Sequence, residues 1–247
     1  MFCVSITISC MVRYQESSVR DINSTTLEII DLISNRLTCS FPEFSTQSGL
    51  TTLRVSNSSL EGSLPSEWRQ FSRLSKIDLS VKKFSGLIPL ALFSLNLVDL
   101  NLYSNHFNEP IPLPEYTVGE LFSQPILAPL ESLNLSDNLL EGHLSSDIKF
   151  FGGLRSLNIV ENSLSGHIPG SLASIDGLES LDLSNNKFEG HLPDKLPSNL
   201  IALNLTYNNL SGTVPKSLRA FLPSSFHPGY EKLVIPGAPI SVLYVYN

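Results

Sequence analysis

Three cysteines, one tryptophan and two methionines are all that the 247-residue chain carries of these types. An odd cysteine count cannot close entirely into intramolecular pairs, so Cys3, Cys10 and Cys39 read as lone small residues, with an intermolecular disulfide as the alternative. Charge is scarce too: Asp, Glu, Lys and Arg make up 16%, and the net charge is −7. No basic cluster of the kind that suggests nucleic acid or an anionic membrane as partner is present. No apolar run reaches the about 20 residues that cross a bilayer. The opening "MFCVSITISCMV" lacks a basic n-region and a clear small-residue cleavage site, so it makes a poor signal peptide. A Gly-rich phosphate loop, kinase catalytic motifs and finger-type Cys/His spacing are all missing. The expectation is a chain with no enzyme activity, no cofactor and no metal.

What the sequence has is repetition. "LESLDLSNNKFEGHLP", Leu178 to Pro193, is one copy of L-x-x-L-x-L-x-x-N-x-L-x-G-x-L-P. Copies begin at Leu27, Leu50, Leu74, Leu97, Leu130, Leu154, Leu178 and Leu200, spaced 23, 24, 23, 33, 24, 24 and 22 residues apart. They are called repeats 1 to 8 below, with positions 1 to 16 inside each. This period with this leucine spacing is the signature of leucine-rich repeats. Positions 4 and 6 lie two apart and share one face of an extended segment. A single short strand cannot bury that face, but stacked strands can, so a parallel sheet over one continuous core follows. Leu181 and Leu183 are expected inside, Asp182 and Ser184 outside. Position 9 is Asn in six copies, Asn35, Asn105, Asn138, Asn162, Asn186 and Asn208, where a buried amide satisfies turn backbone. Ser58 and Lys82 replace it twice. An ammonium donates but cannot accept, so the turn at Lys82 is expected to be looser. The G-x-[IL]-P tail combines the freedom of Gly with the fixed φ of Pro. Cys39 and Glu109 stand at the Gly position in two copies and Ser145 at the Pro position in one.

The chain divides into an irregular segment, 1–26; a solenoid, 27–215, with an insertion at 113–129; and a terminal cap and tail, 216–247. Positions 2, 3, 5, 7, 8 and 10 are expected on the open face of the sheet. Arg54, Lys76 and Lys83 form a basic group there, and Tyr103 and His106 follow on repeat 4. Tyr and Arg are common binding anchors. An acidic peptide or an anionic cell-wall oligosaccharide would suit such a patch, against the alternative of a merely solvated face. Arg155, Glu161 and Tyr207 are further large residues on that face. Asn23, Asn57, Asn134, Asn204 and Asn209 open N-x-[ST] triplets and are N-glycosylation candidates. His143, His167 and His191 share position 14. With strands about 4.8 Å apart, a ladder of rings on the opposite side is expected, or simply tolerant exposed positions.

The segment "LPDKLPSNLIALNLTYNNLSGTVPKSLRAFLPSSFHPGYEKLVIPGAP", Leu192 to Pro239, goes beyond the repeat. It resembles the end of the extracellular region of plant leucine-rich-repeat receptor-like kinases, in the probable inactive receptor kinase subgroup that includes the guard-cell hydrogen-peroxide-resistance receptor. Asn204, Thr206, Tyr207, Asn208, Leu210 to Gly212, Ser225, Phe226, Pro228, Gly229, Leu233 and Pro236 carry the likeness. "LEIIDLISNRLTC" and "IPLPEYTVGELFSQPILAPLESLNL" extend it to roughly residues 25–239. The G-x-[IL]-P tail is similar to the plant-type repeat. That resemblance implies an α/β repeat solenoid: a curved parallel sheet with 3₁₀ turns on its convex side. It implies the membrane-proximal part of an ectodomain, on the extracellular side of the plasma membrane, binding a protein or peptide ligand or a co-receptor. A secreted protein like the polygalacturonase inhibitors, or a nonfunctional truncation product, are the alternatives.

Overall fold

The structure, a computed structural model, describes residues 28–31, 49–55, 60–113, 129–221, 225 and 232–234. Cys3, Cys10, Cys39, Asn23, Asn35, Asn57, Ser58 and all but the ends of the insertion lie outside these residues.

Each repeat contributes one strand of three residues, positions 3 to 5, to an eight-stranded parallel sheet. The strands are Ile29–Asp31, Thr52–Arg54, Lys76–Asp78, Asp99–Asn101, Ser132–Asn134, Ser156–Asn158, Ser180–Asp182 and Ala202–Asn204, in chain order across the sheet. Register advances by exact repeats: Leu53 meets Ile30 and Ile77, and Leu181 meets Leu157 and Leu203. Nothing slips at the insertion, since Leu100 on repeat 4 meets Leu133 on repeat 5. Positions 1, 4, 6 and 11 fill a single core along the array. Leu181 and Leu183 are buried as expected. On the far side, short 3₁₀ helices at Leu90–Ser94, Ser146–Phe150, Gly170–Ser174 and Lys216–Leu218 close the layer. Their N-caps are Pro89, Ser145, Pro169 and Pro215, all at position 16. Proline fixes the entering φ; where Ser145 replaces it, the hydroxyl accepts the Asp147 N–H instead. Phe93 and Phe151 pack in this layer with ring centroids 5.5 Å apart and planes tilted by 50°.

The asparagines form a ladder that runs between repeats. Asn186 Nδ2 donates to the carbonyls of Leu183 and Ser184 in its own repeat and of Ile159 in the one before, while its Oδ1 accepts the Leu164 N–H. Asn105, Asn138, Asn162 and Asn208 repeat the pattern. One residue earlier, position 8 takes a left-handed conformation in repeats 3 to 8: Val81, Ser104, Asp137, Glu161, Asn185 and Tyr207 all have φ of 53–55°. Such φ is uncommon for non-Gly residues and is sustained only where the surroundings dictate it. Lys82 does not loosen its turn. Val81 keeps the same φ, and the Val81 and Lys82 N–H groups still donate to Tyr103 and Ser104 in the next repeat at 2.7 and 3.0 Å. Backbone bonds to the neighbouring repeat keep the bend in place without the asparagine.

Two expectations are corrected. Ser184 does not point out: it is 2% exposed, and Ser80, Ser136 and Thr206 at the same position 7 are also buried. The strand has ended at position 5, so strict alternation no longer applies. The Ser184 hydroxyl turns back to Asp182 Oδ1 at 2.7 Å. Second, position 10 starts another sheet. Lys187–His191, with Ser165–Gly166, Asn209–Thr213 and Lys232–Val234, forms a four-stranded parallel sheet; Glu61–Gly62, Lys83–Gly86 and His106–Phe107 form a three-stranded one. The last strand comes from the terminal segment, where Leu233 is buried and Val234 O accepts the Val214 N–H. Ser225 O likewise accepts the Leu205 N–H just past the last strand of the main sheet, so the tail extends the four-stranded sheet and caps the end of the eight-stranded one. Phe221 packs half-buried against the core; Phe226 lies outside the described residues.

The position-14 histidines do not stack on one another. Each lies on the glycine of the following repeat: His143 on Gly166, His167 on Gly190, His191 on Gly212. Pro110 over Gly142 and Ser63 over Gly86 follow the same rule. A Cβ on Gly190 would sit 2.5 Å from the His167 ring, and its φ is +77°. Gly190→Ala is therefore expected to destabilise by about 1–3 kcal/mol from backbone strain and the collision together. Denaturant melts should show a smaller loss in a His167→Ala background, because only the backbone part remains. Asn186→Ala, which strips four hydrogen bonds and leaves the buried Leu164 N–H without its acceptor, should cost about 2–4 kcal/mol by the same measurement.

Candidate functional site

The open face of the main sheet is built from positions 3 and 5. The short polar side chains at position 5 are also structural. Asp78, Asn101, Asn134, Asn158, Asp182 and Asn204 each accept the N–H two residues on, at 3.0–3.2 Å. These Asx turns end the strands and start the bend. Neighbours in the column also bond: Asn101 Nδ2 donates to Asp78 Oδ1 and Asn204 Nδ2 to Asp182 Oδ2.

On repeats 2 to 5 this face sinks into a depression of about 350 Å³, lined by Arg54, Lys76, Asp78, Asp99, Asn101 and Asn134 among others. Of the five ligand-binding candidates, the structure brings Arg54 and Lys76 together there. Tyr103 is exposed beyond the end of its strand and does not line the depression. Lys83 and His106 lie past the bend on the three-stranded sheet, Lys83 in register with Glu61 and His106 with Ser85. They are separated from Lys76 because a left-handed residue intervenes. The basic group expected from sequence is thus a mixed one. Asp78 and Asp99 face the same space as the two cations, and Arg54 leans to Asp31 at 3.7 Å. That pair is about half exposed and contributes little. Both aspartates were visible in the columns, but reading the cations alone hid them.

Away from the depression, Arg155 bridges Glu131 and Glu179, at 3.7 and 2.7 Å, across three repeats. Glu161 and Tyr207 are left-handed turn residues. Among the glycosylation candidates, Asn134 and Asn204 are half-buried strand caps whose Oδ1 accepts the hydroxyl of their own triplet's Ser136 or Thr206. Asn204 Nδ2 already donates to Asp182 and to Ser184. Asn209 is exposed on the four-stranded sheet. Among the described residues no helix is long and apolar enough to cross a membrane.

The last four repeats match the family model for the Leucine Rich Repeat, over residues 129–151, 153–175, 177–198 and 199–221. Over 44 residues the sequence is 52% identical to a probable inactive receptor kinase of Arabidopsis thaliana, covering 18% of this chain and 4% of that protein. The Arabidopsis receptor kinase HAESA ectodomain, solved in complex with an extended IDA peptide hormone ligand, superposes with a TM-score of 0.72 at 32% identity. The alignment covers 86% of this chain and 35% of that one. The chain is a leucine-rich-repeat solenoid, similar in fold to plant receptor-kinase ectodomains. It spans about a third of the HAESA ectodomain and a small part of the kinase relative. A plant ice-binding protein shares the architecture at a TM-score of 0.64 and 25% identity, with 84% of this chain and 73% of that one aligned. Leucine-rich repeats therefore set the scaffold without by themselves setting the function.

Lys82 sits directly beside this face and supplies a test of its own. It is 6% exposed. Burial lowers its pKa from the ordinary 10.5 to about 8, with nearby Asp78 pulling the other way. The unfolded chain holds this proton up to about pH 10.5, whereas the folded chain releases it near pH 8. Stability should therefore rise through that window as the penalised charge is lost. Difference melts of wild type against Lys82→Asn across pH 7–11 should show the increment in wild type alone. At neutral pH the Asn variant should be the more stable, since it regains an acceptor for the ladder.

Proposed function

We propose that the chain is a non-enzymatic extracellular recognition module, part of a plant cell-surface receptor-like (pseudo)kinase, that binds a peptide ligand or co-receptor on the open face of repeats 2 to 5. It works at the extracellular side of the plasma membrane. One observation carries this reading: the depression holds charged groups with no structural task. Among the described residues, neither the Lys76 ammonium nor the Asp99 carboxylate has an ion-pair or hydrogen-bond partner, although register sets them side by side. The position-5 groups, by contrast, cap strands or bond to neighbours. A similar scaffold, the HAESA ectodomain, is seen with a peptide hormone. Backbone bonds between neighbouring strands tie repeats 2 to 5 together, so the site is preorganised and binding need order only the ligand.

The test is hydrogen exchange of the chain mixed with a synthetic library of extended twelve-residue peptides. Bound peptides should slow exchange at 52–54, 76–78, 99–101 and 132–134. Arg54→Glu with Lys76→Glu should weaken the selected binders by about tenfold or more, through like-charge contact or a lost partner. Protection confined to the smaller sheets, or no captured peptide, would refute the reading.

A further inference from the structure

The charges in the depression are ordered along the array. Arg54 stands on repeat 2 and Lys76 on repeat 3, with Asp99 and Asn101 on repeat 4 and Asn134 on repeat 5. Asp78, between them, is already engaged: its Oδ1 accepts the Ser80 N–H and Asn101 Nδ2. Arg54 is loosely held by Asp31 at 3.7 Å. Lys76 and Asp99 occupy opposite positions on adjacent parallel strands yet are not bonded to one another. The free positive charge thus lies toward repeat 2 and the free negative charge toward repeat 4.

We infer that the depression selects a dipolar peptide segment, with an acidic side chain over Arg54 and Lys76 and a basic one over Asp99, rather than a polyanion. This rests on the recognition reading above. Strand spacing sets the length. Lys76 and Asp99 are one spacing apart, and Arg54 lies two spacings from Asp99 and two residues further along its strand, so the centres of opposite charge are about 5–12 Å apart. In an extended peptide, side chains i and i+2 project to the same side about 7 Å apart. An acid-x-base or base-x-acid triplet lying across the strands matches both the spacing and the facing. A run of acids meets Asp99 at its far end, where repulsion in a partly desolvated recess costs affinity. Asn134 Nδ2, which donates no bond among the described residues, continues the floor with a donor suited to a carbonyl of the peptide backbone that follows. Neither smaller sheet contributes a residue to the depression.

Immobilised twelve-residue peptides that differ only in a central Glu-Gly-Lys, Lys-Gly-Glu, Glu-Gly-Glu or Lys-Gly-Lys triplet provide the probe, read by fluorescence of the labelled chain. One of the two mixed triplets is expected to exceed both like-charged ones by about fivefold or more. Asp99→Lys, checked for an unchanged melting midpoint, should move the preference to Glu-Gly-Glu. Preference of wild type for Glu-Gly-Glu, or an unchanged ranking in Asp99→Lys, overturns the inference. If those binders still protect repeats 2 to 5 from exchange, the recognition reading stands with a polyanionic ligand. If no peptide protects that face, the inference and the reading fall together.

Discussion

A side-chain amide bonded to carbonyls of its own repeat and the one before is the interaction on which this solenoid depends. Each repeat must bend sharply after a three-residue strand, and a bend against a core hides peptide groups from water. Those groups cost about 1–3 kcal/mol each when unpaired. The position-9 asparagine meets the need from both directions, because an amide alone among small neutral side chains both donates twice and accepts. Its bonds cross the repeat boundary, as between Asn186 and the Ile159 and Leu164 backbone. The ladder is therefore at once a turn-former and a tie between units, and the left-handed residue before it is tolerated because the turn is over-determined.

The open face inherits its order from that bend. Position-5 side chains cap the strand ends, which consumes much of their hydrogen-bonding capacity and aligns them in a column. What remains available for a ligand is the minority of side chains the scaffold does not use. Lys76 and Asp99 stand out for that reason and not for their size or position in the sequence. The mixture of charge also fits the scaffold's needs: like charges in register on strands about 4.8 Å apart would repel across the whole column.

Much of this was legible in the residues. The period, the buried leucines and the asparagine ladder follow from spacing and from hydrogen-bond capacity. The 3₁₀ turns and the receptor-like tail were reached by resemblance. The misses share a cause. Alternation was carried past position 5, although the strand stops there, so Ser184 was placed outside and Lys83 and His106 on the ligand face. A second sheet starting at position 10 has only two to five residues per strand and no apolar alternation to announce it. The histidine column was visible, but not that each ring would rest on a glycine, because that contact joins residues in different repeats.

That last contact bears on how such an array changes length over generations. From repeat 5 onward, every ring leans on a glycine one unit ahead. Removing or copying one whole unit in that stretch returns an imidazole to a glycine, so unequal exchange between gene copies leaves no packing defect for selection to repair. The junction of Leu87 with Glu109 offers no such match. There Leu87 stays largely uncovered, and a recombination breakpoint would carry a misfit into any product. On packing grounds, whole repeats can be added to or removed from the histidine-bearing half without a misfit at this contact, whereas the half that holds the depression offers no such match at Leu87.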